Sequence, residues 1–108
     1  MYISRYQISI DEIMLEEIGF VGIKILLSLY RSDEEKMYIR ELMREAGIGG
    51  TSTYRALAVL ADFGLVRLKR KYRMKFIFLT DSGREVAKLL DEADRIIIKT
   101  KGKTAANI

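Results

Sequence analysis

"TSTYRALAVLADFGLVRLKRKYRMKFIFLT", residues 51–80, changes its hydrophobic period part-way along. Up to Gly64 the pattern is helical, with Thr53, Leu57, Leu60 and Ala61 on one face. Thr51 or Ser52 is placed to cap this helix, and Gly64 to end it. Beyond Gly64, Val66 and Leu68 alternate with Arg67 and Lys69, the period of a half-exposed strand. "KFIFLT" (75–80) is rich in aromatic and β-branched residues and reads as a second strand. Between the strands lies the basic, turn-like "RKYR" (70–73). A helix therefore runs directly into a hairpin.

The hairpin holds most of the charge asymmetry. Residues 67–76 contain Arg67, Lys69, Arg70, Lys71, Arg73 and Lys75 and no acid, although the whole chain carries only +4. "KTKGK" (99–103) adds three lysines, and the remaining 10 basic and 15 acidic residues leave the body negative. Two basic segments on an acidic body point to a polyanionic partner met at defined places.

Outward from this stretch the chain reads as further helices. "SIDEIMLEEIG" (9–19) opens with Ser9 and has Glu12 three positions on, a capping box. Ile10, Ile13, Met14 and Ile18 form its apolar face, and Gly19 is its stop. "FVGIKILLSLYRSDEE" (20–35) is a second helix with Ile23, Leu26, Leu27 and Tyr30 on one side, leading into the polar turn "RSDEEK". "MYI" (37–39) is a short extended piece at most. "RELMREAG" (40–47) is a third helix ended by Gly47, and "GIGG" (47–50) is too glycine-rich to remain helical. After the hairpin, Thr80 caps a last helix, "DSGREVAKLLDEADRIII" (81–98), with Val86, Leu89, Leu90, Ala93 and Ile97 along one side. "KTKGKTAANI" (99–108) reads as a flexible, frayed basic tail.

The fold class is thus mainly α with a small β-hairpin (α+β): two short helices joined by a glycine-containing turn, then a basic hairpin, a helix-turn-helix with a wing. The organisation is one domain over 1–98. The helix-turn-helix covers about 38–63, the wing 65–80, and terminal helices lie at about 9–19 and 81–98.

From about residue 20 to 98 the chain resembles winged helix-turn-helix regulators, in the style of MarR-like proteins and the small archaeal winged-helix DNA-binding proteins. Three stretches carry the resemblance. "TSTYRALAVLADFGLV" resembles a recognition helix and its exit into the wing, and "MYIRELMREAGIGG" the preceding helix and turn. "RMKFIFLTDSGREV" resembles the second wing strand and its hand-over to the dimer helix, through Leu79-Thr80 and Gly83-Arg84. One position departs. MarR proteins usually carry Asp two residues before the wing-tip Arg; Arg73 matches that Arg, but Lys71 holds the Asp position. The resemblance implies a more electrostatic wing contact here and favours the broader winged-helix family.

Candidate site residues follow. In the wing, Arg70, Lys71 or Arg73 suit a narrow minor groove, where the negative potential is deep. Arg67, Lys69 and Lys75 suit phosphates, which fix register without reading sequence; the bland alternative is a solvated ribbon whose charges guard an edge. On helix 51–63, Thr51, Ser52, Tyr54 and Arg55 fall toward the amino end, the part that enters a major groove. Arg55 suits guanine O6 and N7, or alternatively pairs with Asp62 or Glu45. Tyr54 and the hydroxyls suit phosphate or a thymine methyl, or Tyr54 is a lid on the core. Ala56 and Ala58 are small enough for close approach. Arg40 faces a phosphate at the start of its helix, whereas Arg44 pairs with Glu41 or Glu45. The resemblance implies a homodimer through the terminal helices, with Ile10, Ile13, Met14, Val86, Leu89, Leu90, Ala93 and Ile97 at the interface. The alternative is that these helices pack within one chain.

Other chemistries are poorly served. The chain has no cysteine and no histidine, which excludes disulfides, thiolate sites and the commonest general base. "GIGG" lacks the lysine of a phosphate loop. Asp33, Glu34 and Glu35 cluster in a turn, where carboxylates are usually solvated. No apolar run approaches a membrane span. The sequence therefore predicts a cytoplasmic non-enzyme without cofactor or metal, a sequence-specific regulator of double-stranded DNA; a small-molecule effector is not indicated. Its abundant Ile, Lys, Glu and Arg resemble thermophile composition. The rival readings are an architectural DNA-binding protein of little specificity, and a winged helix used for protein or RNA binding.

Overall fold

The structure is a computed structural model that describes residues 13–107, with side-chain surroundings for 13–103. The element order is α1 (Met14–Tyr30), β1 (Lys36–Tyr38), α2 (Ile39–Ala46), α3 (Gly50–Asp62), β2 (Val66–Lys71), β3 (Met74–Leu79) and α4 (Asp81–Asn107). The expected capping box of Ser9 and Glu12, and Ile10, lie outside the described residues. Ile13 does not continue a helix from that side: it is extended (φ −114°, ψ 110°), and the first turn starts at Met14 with Glu16 and Glu17 at its positive end. Gly19 breaks α1 (φ 73°, ψ 175°), a conformation that suits glycine.

Helix α1 is the centre of the molecule. Ile25, Leu26 and Leu29 are fully buried. The predicted face of Ile23, Leu26, Leu27 and Tyr30 is off-centre, and all but Leu26 are only half-buried. A helix contacted by α2, α3 and α4 buries more than one stripe, so a one-face reading misplaces its middle.

Helix α2 begins where Glu41 Oε1 accepts the backbone N–H of Tyr38 at 3.1 Å, and ends at left-handed Gly47 (φ 66°). Helix α3 starts one residue earlier than expected. Gly49 is its cap, Gly50 is helical, and neither Thr51 nor Ser52 caps it. The hydroxyl and the N–H of buried Thr53 both bond the Gly49 carbonyl instead, at 2.8 and 3.0 Å.

The sheet has the order β1-β3-β2, antiparallel throughout. The short extended piece is its third strand, and Met37, paired with Ile77, seals the core. Thr80 joins sheet to last helix: its Oγ1 accepts the Gly83 N–H at 3.0 Å and its O–H donates to the Gly64 carbonyl at 2.6 Å. A side chain at Gly83 would sit on the Leu65 carbonyl oxygen, so only glycine allows this approach.

Helix α4 does not stop near residue 98 but runs on to Asn107. Residues 99–107 contain no proline, and Lys and Ala are good helix formers, so one glycine is too weak a break. Ion pairs fix α4 to the rest. Buried Asp91 accepts from Arg31 and Arg95, both at 2.8 Å, and Arg31 also reaches Asp94 at 2.9 Å. Arg84 meets Glu35 at 2.6 Å. Arg95, then Arg31, holds the Asp91 carboxyl below the usual carboxylate range. The links from Arg31 to Asp91 and Asp94 and from Arg84 to Glu35 are not legible in the sequence, because their partners lie 60, 63 and 49 positions apart.

Candidate nucleic-acid interface

Helix α3 turns Thr53, Ala56, Leu57 and Leu60 inward. Thr51, Ser52, Tyr54, Arg55 and Ala58 are exposed. Ala56 is therefore a core residue and not a point of close approach. Arg55 makes no ion pair with Asp62 or Glu45 among the described residues. Tyr54 is 46% exposed, which rules out a core lid. Lys75 Nζ stands 5.6 Å from the centre of its ring, so the wing touches the exposed side of α3 directly.

The wing turns at Tyr72-Arg73, between the paired Lys71 and Met74. A two-residue hairpin needs positive φ in its loop. Here Tyr72 supplies it (φ 58°), with its ring 89% exposed. Strand alternation divides the five wing cations that lie on the strands into two sets. Arg70 and Lys75 share the parity of core-facing Val66 and Ile77 and lie on the α3 side. Arg67, Lys69 and Lys71 have the opposite parity. All six are exposed, with Arg73 at the tip, and none is in an ion pair among the described residues. Beyond Val66, Leu68 on β2 is itself 43% exposed. The wing projects past the core there.

On α2, Arg40 and Arg44 are both exposed. The expected pairing of Arg44 with Glu41 or Glu45 does not form within 4.0 Å; Glu41 Oε1 is engaged by the Tyr38 backbone instead.

The apolar terminal set separates as well. Ile13, Met14, Leu89, Ala93 and Ile97 are exposed. Val86 and Leu90 instead pack against the core of their own chain. They face α1 and the sheet because α4 must bury one side within the monomer. Ile96 and Ile98 add 65% and 62% exposed side chains to the outer surface.

In the turn before β1, Glu34 meets Lys36 at 3.1 Å and Glu35 is held by Arg84. Among the described residues no cluster of three or more acids converges as a metal site, and no helix is long and apolar enough to cross a membrane.

No protein-family model and no curated protein matches this sequence. Solved structures do match it in fold. ZitR from Lactococcus lactis, in apo form, superposes with a TM-score of 0.75 at 18% identity, over 88% of this chain and 72% of that one. Sso10a-2, a DNA-binding protein from Sulfolobus solfataricus, gives 0.61 at 21% identity, over 80% of this chain and 94% of that one. The MarR family transcriptional regulator SPO1453 from Silicibacter pomeroyi gives 0.68 at 24% identity, over 79% and 60%. With its helix-turn-helix, three-stranded sheet and projecting basic hairpin, the chain shares the fold of these structures, the MarR family regulator SPO1453 among them, a winged helix-turn-helix.

Proposed function

We propose that this protein is a transcriptional regulator that binds double-stranded DNA with sequence specificity, as a homodimer. The carrying observation is Arg55, exposed at the amino-terminal part of α3, beside a wing of six exposed cations that Lys75 joins to α3 at the Tyr54 ring; none of the seven is in an ion pair among the described residues. Helix α3 enters the major groove, where Arg55 reads guanine and Thr51, Ser52 and Tyr54 contact backbone or a thymine methyl. Arg70, Arg73 and Lys75 approach the adjacent minor groove and its phosphates, and Arg67, Lys69 and Lys71 add backbone charge. Arg40 meets a phosphate at the start of α2. Occupancy of the site then excludes polymerase or activators.

Dimerisation is supported by α4. Leu89, Ala93, Ile96 and Thr100 recur at the 4-3-4 spacing of a coiled-coil seam. Residues 95–103 are exposed throughout, and a helix end of that length is marginal alone. The double variant Leu89→Lys, Ile96→Lys is expected to sediment as a monomer where the unchanged chain sediments as a dimer. A monomeric unchanged chain would remove the homodimer from the proposal.

The deciding measurement is equilibrium binding to the DNA upstream of the protein's own gene and to a shuffled duplex of equal length, at several salt concentrations. A specific regulator binds the first about 10³-fold more tightly. Arg55→Ala should erase about 5- to 150-fold of that preference and leave the shuffled duplex unchanged. The second reading, an architectural protein, is favoured by the excess of wing cations over base-reading residues. Equal affinities with a steep salt slope would establish it.

A further inference from the structure

The three-stranded sheet has two faces. Met37, Val66, Ile77 and Leu79 are buried on the inner one, where Lys75 reaches the Tyr54 ring. The opposite parity gathers three aromatic rings, Tyr38, Phe76 and Phe78, with Arg67, Lys69 and Lys71 on the neighbouring strand. The pairing sets them in rows. Tyr38 lies across from Phe76, and Phe76 across from Lys69; Phe78 lies between Lys36 and Arg67. The Tyr38 and Phe76 rings meet edge to face with centres 6.0 Å apart, and Phe76 and Phe78 are 6.2 Å apart. Tyr38 and the three β2 cations are exposed, and the two phenylalanines are half-exposed. Two lysine ammoniums sit over the rings, Lys36 at 5.7 Å from the Phe76 centre and Lys69 at 5.8 Å from that of Phe78.

A contiguous ladder of half-open rings, edged by three β2 cations that make no ion pair among the described residues, matches one kind of partner. A duplex offers only base edges, because its base faces are stacked on each other. A single strand offers base faces that stack on aromatic rings and phosphates that meet lysine and arginine. We propose that this outer sheet face is a second nucleic-acid surface, which takes single-stranded DNA, the form an opened duplex presents beside the wing. Phe76, Phe78 and Tyr38 stack bases, while Arg67, Lys69 and Lys71 hold phosphates. The placement of the strand on the sheet follows. β2 is an edge strand whose three cations make no ion pair among the described residues, so the backbone tracks along it. The β1 side carries acids: Glu34 holds Lys36, and Glu34, Glu41 and Glu45 line the groove that Tyr38 and Phe76 share, with Lys71 at its β2 side. Phosphates are kept from that side, and bases reach inward over β3. The stacking surface stands on its own geometry, and the choice of DNA over RNA as its strand rests on the duplex-binding reading above.

The test is binding of the full chain to a fluorescent oligothymidine of about 12 nucleotides at about 50 mM salt. Duplex DNA and oligouridine of equal length are measured beside it. The unchanged chain should bind the DNA strand. Phe76→Leu and Phe78→Leu, which keep the strand apolar, should each weaken it about tenfold while duplex affinity stays. Arg55→Ala should leave single-strand binding intact. No single-strand binding, binding unmoved by both leucine variants, or tighter binding of oligouridine would overturn the proposal. If the leucine variants melt early, photo-crosslinking of the unchanged chain decides: adducts within residues 74–78 support the surface, and adducts confined to α3 sink it.

Discussion

Single residues set the tolerances of this fold. At Gly83 any Cβ would collide with the Leu65 carbonyl, a backbone atom that cannot rotate away. Gly83→Ala is therefore expected to cost about 2 kcal/mol or more, read as a lower denaturant midpoint with unchanged slope. A midpoint within error of the unchanged chain would show that α4 can shift off the β2 entry without penalty. Tyr72 is the converse case, a bulky residue at positive φ on a fully projecting tip. The two-residue hairpin requires that conformation, so it follows from the turn itself. Arg55 differs from both. It has no ion pair to lose among the described residues, so its removal should move binding and not melting.

At the scale of elements, the joint between wing and last helix carries the most consequence. Thr80 bonds backward to Gly64 and forward to Gly83, so one hydroxyl ties the end of α3, the return of β3 and the start of α4. Thr80→Val keeps the shape and removes both bonds. It should destabilise by about 1–2 kcal/mol, seen in thermal or denaturant unfolding. An unchanged stability would mean that water replaces the hydroxyl at no loss. Thr80 is legible as a cap because the signal lies within four residues. The third strand is not comparably legible. Three residues, Lys36–Tyr38, are too few for a period, and their pairing with Phe76, Ile77 and Phe78 is a contact across about forty positions.

For the whole molecule, the packing of α4 on α1 is partly electrostatic. The folded-state pKa of Asp91 lies below its ordinary value because Arg95 and Arg31 both donate to it. Its contribution is thus complete above the ordinary carboxylate pKa, about 4, and is lost as pH falls through the lower folded value. Asp91→Asn should melt below the unchanged chain at neutral pH, and the gap should shrink as pH drops below about 4. Melting curves from pH 7 to pH 3 test this; a gap that stays constant would mean that packing, not charge, holds the helix. Arg31 is the other half of the link, kept charged by Asp94 and then Asp91.

By itself the sequence determined what short-range physics writes: the helical period of α3, the glycine stops at positions 19, 47 and 64, the Thr80 cap, and the basic hairpin after Gly64. Each is a local choice of backbone conformation, decided by neighbours within a turn or two. Only the tertiary structure decided which stripe of α1 is central, since three helices pack on it from different sides. The same holds for the side of α4 to which Val86 and Leu90 turn and for the third strand, while α4's run past residue 98 shows a polar tail keeping its helix. It also divided the wing cations between two faces and brought Lys75 to Tyr54. These outcomes depend on which distant surfaces meet, and burial is a property of the pair in contact, not of either segment alone.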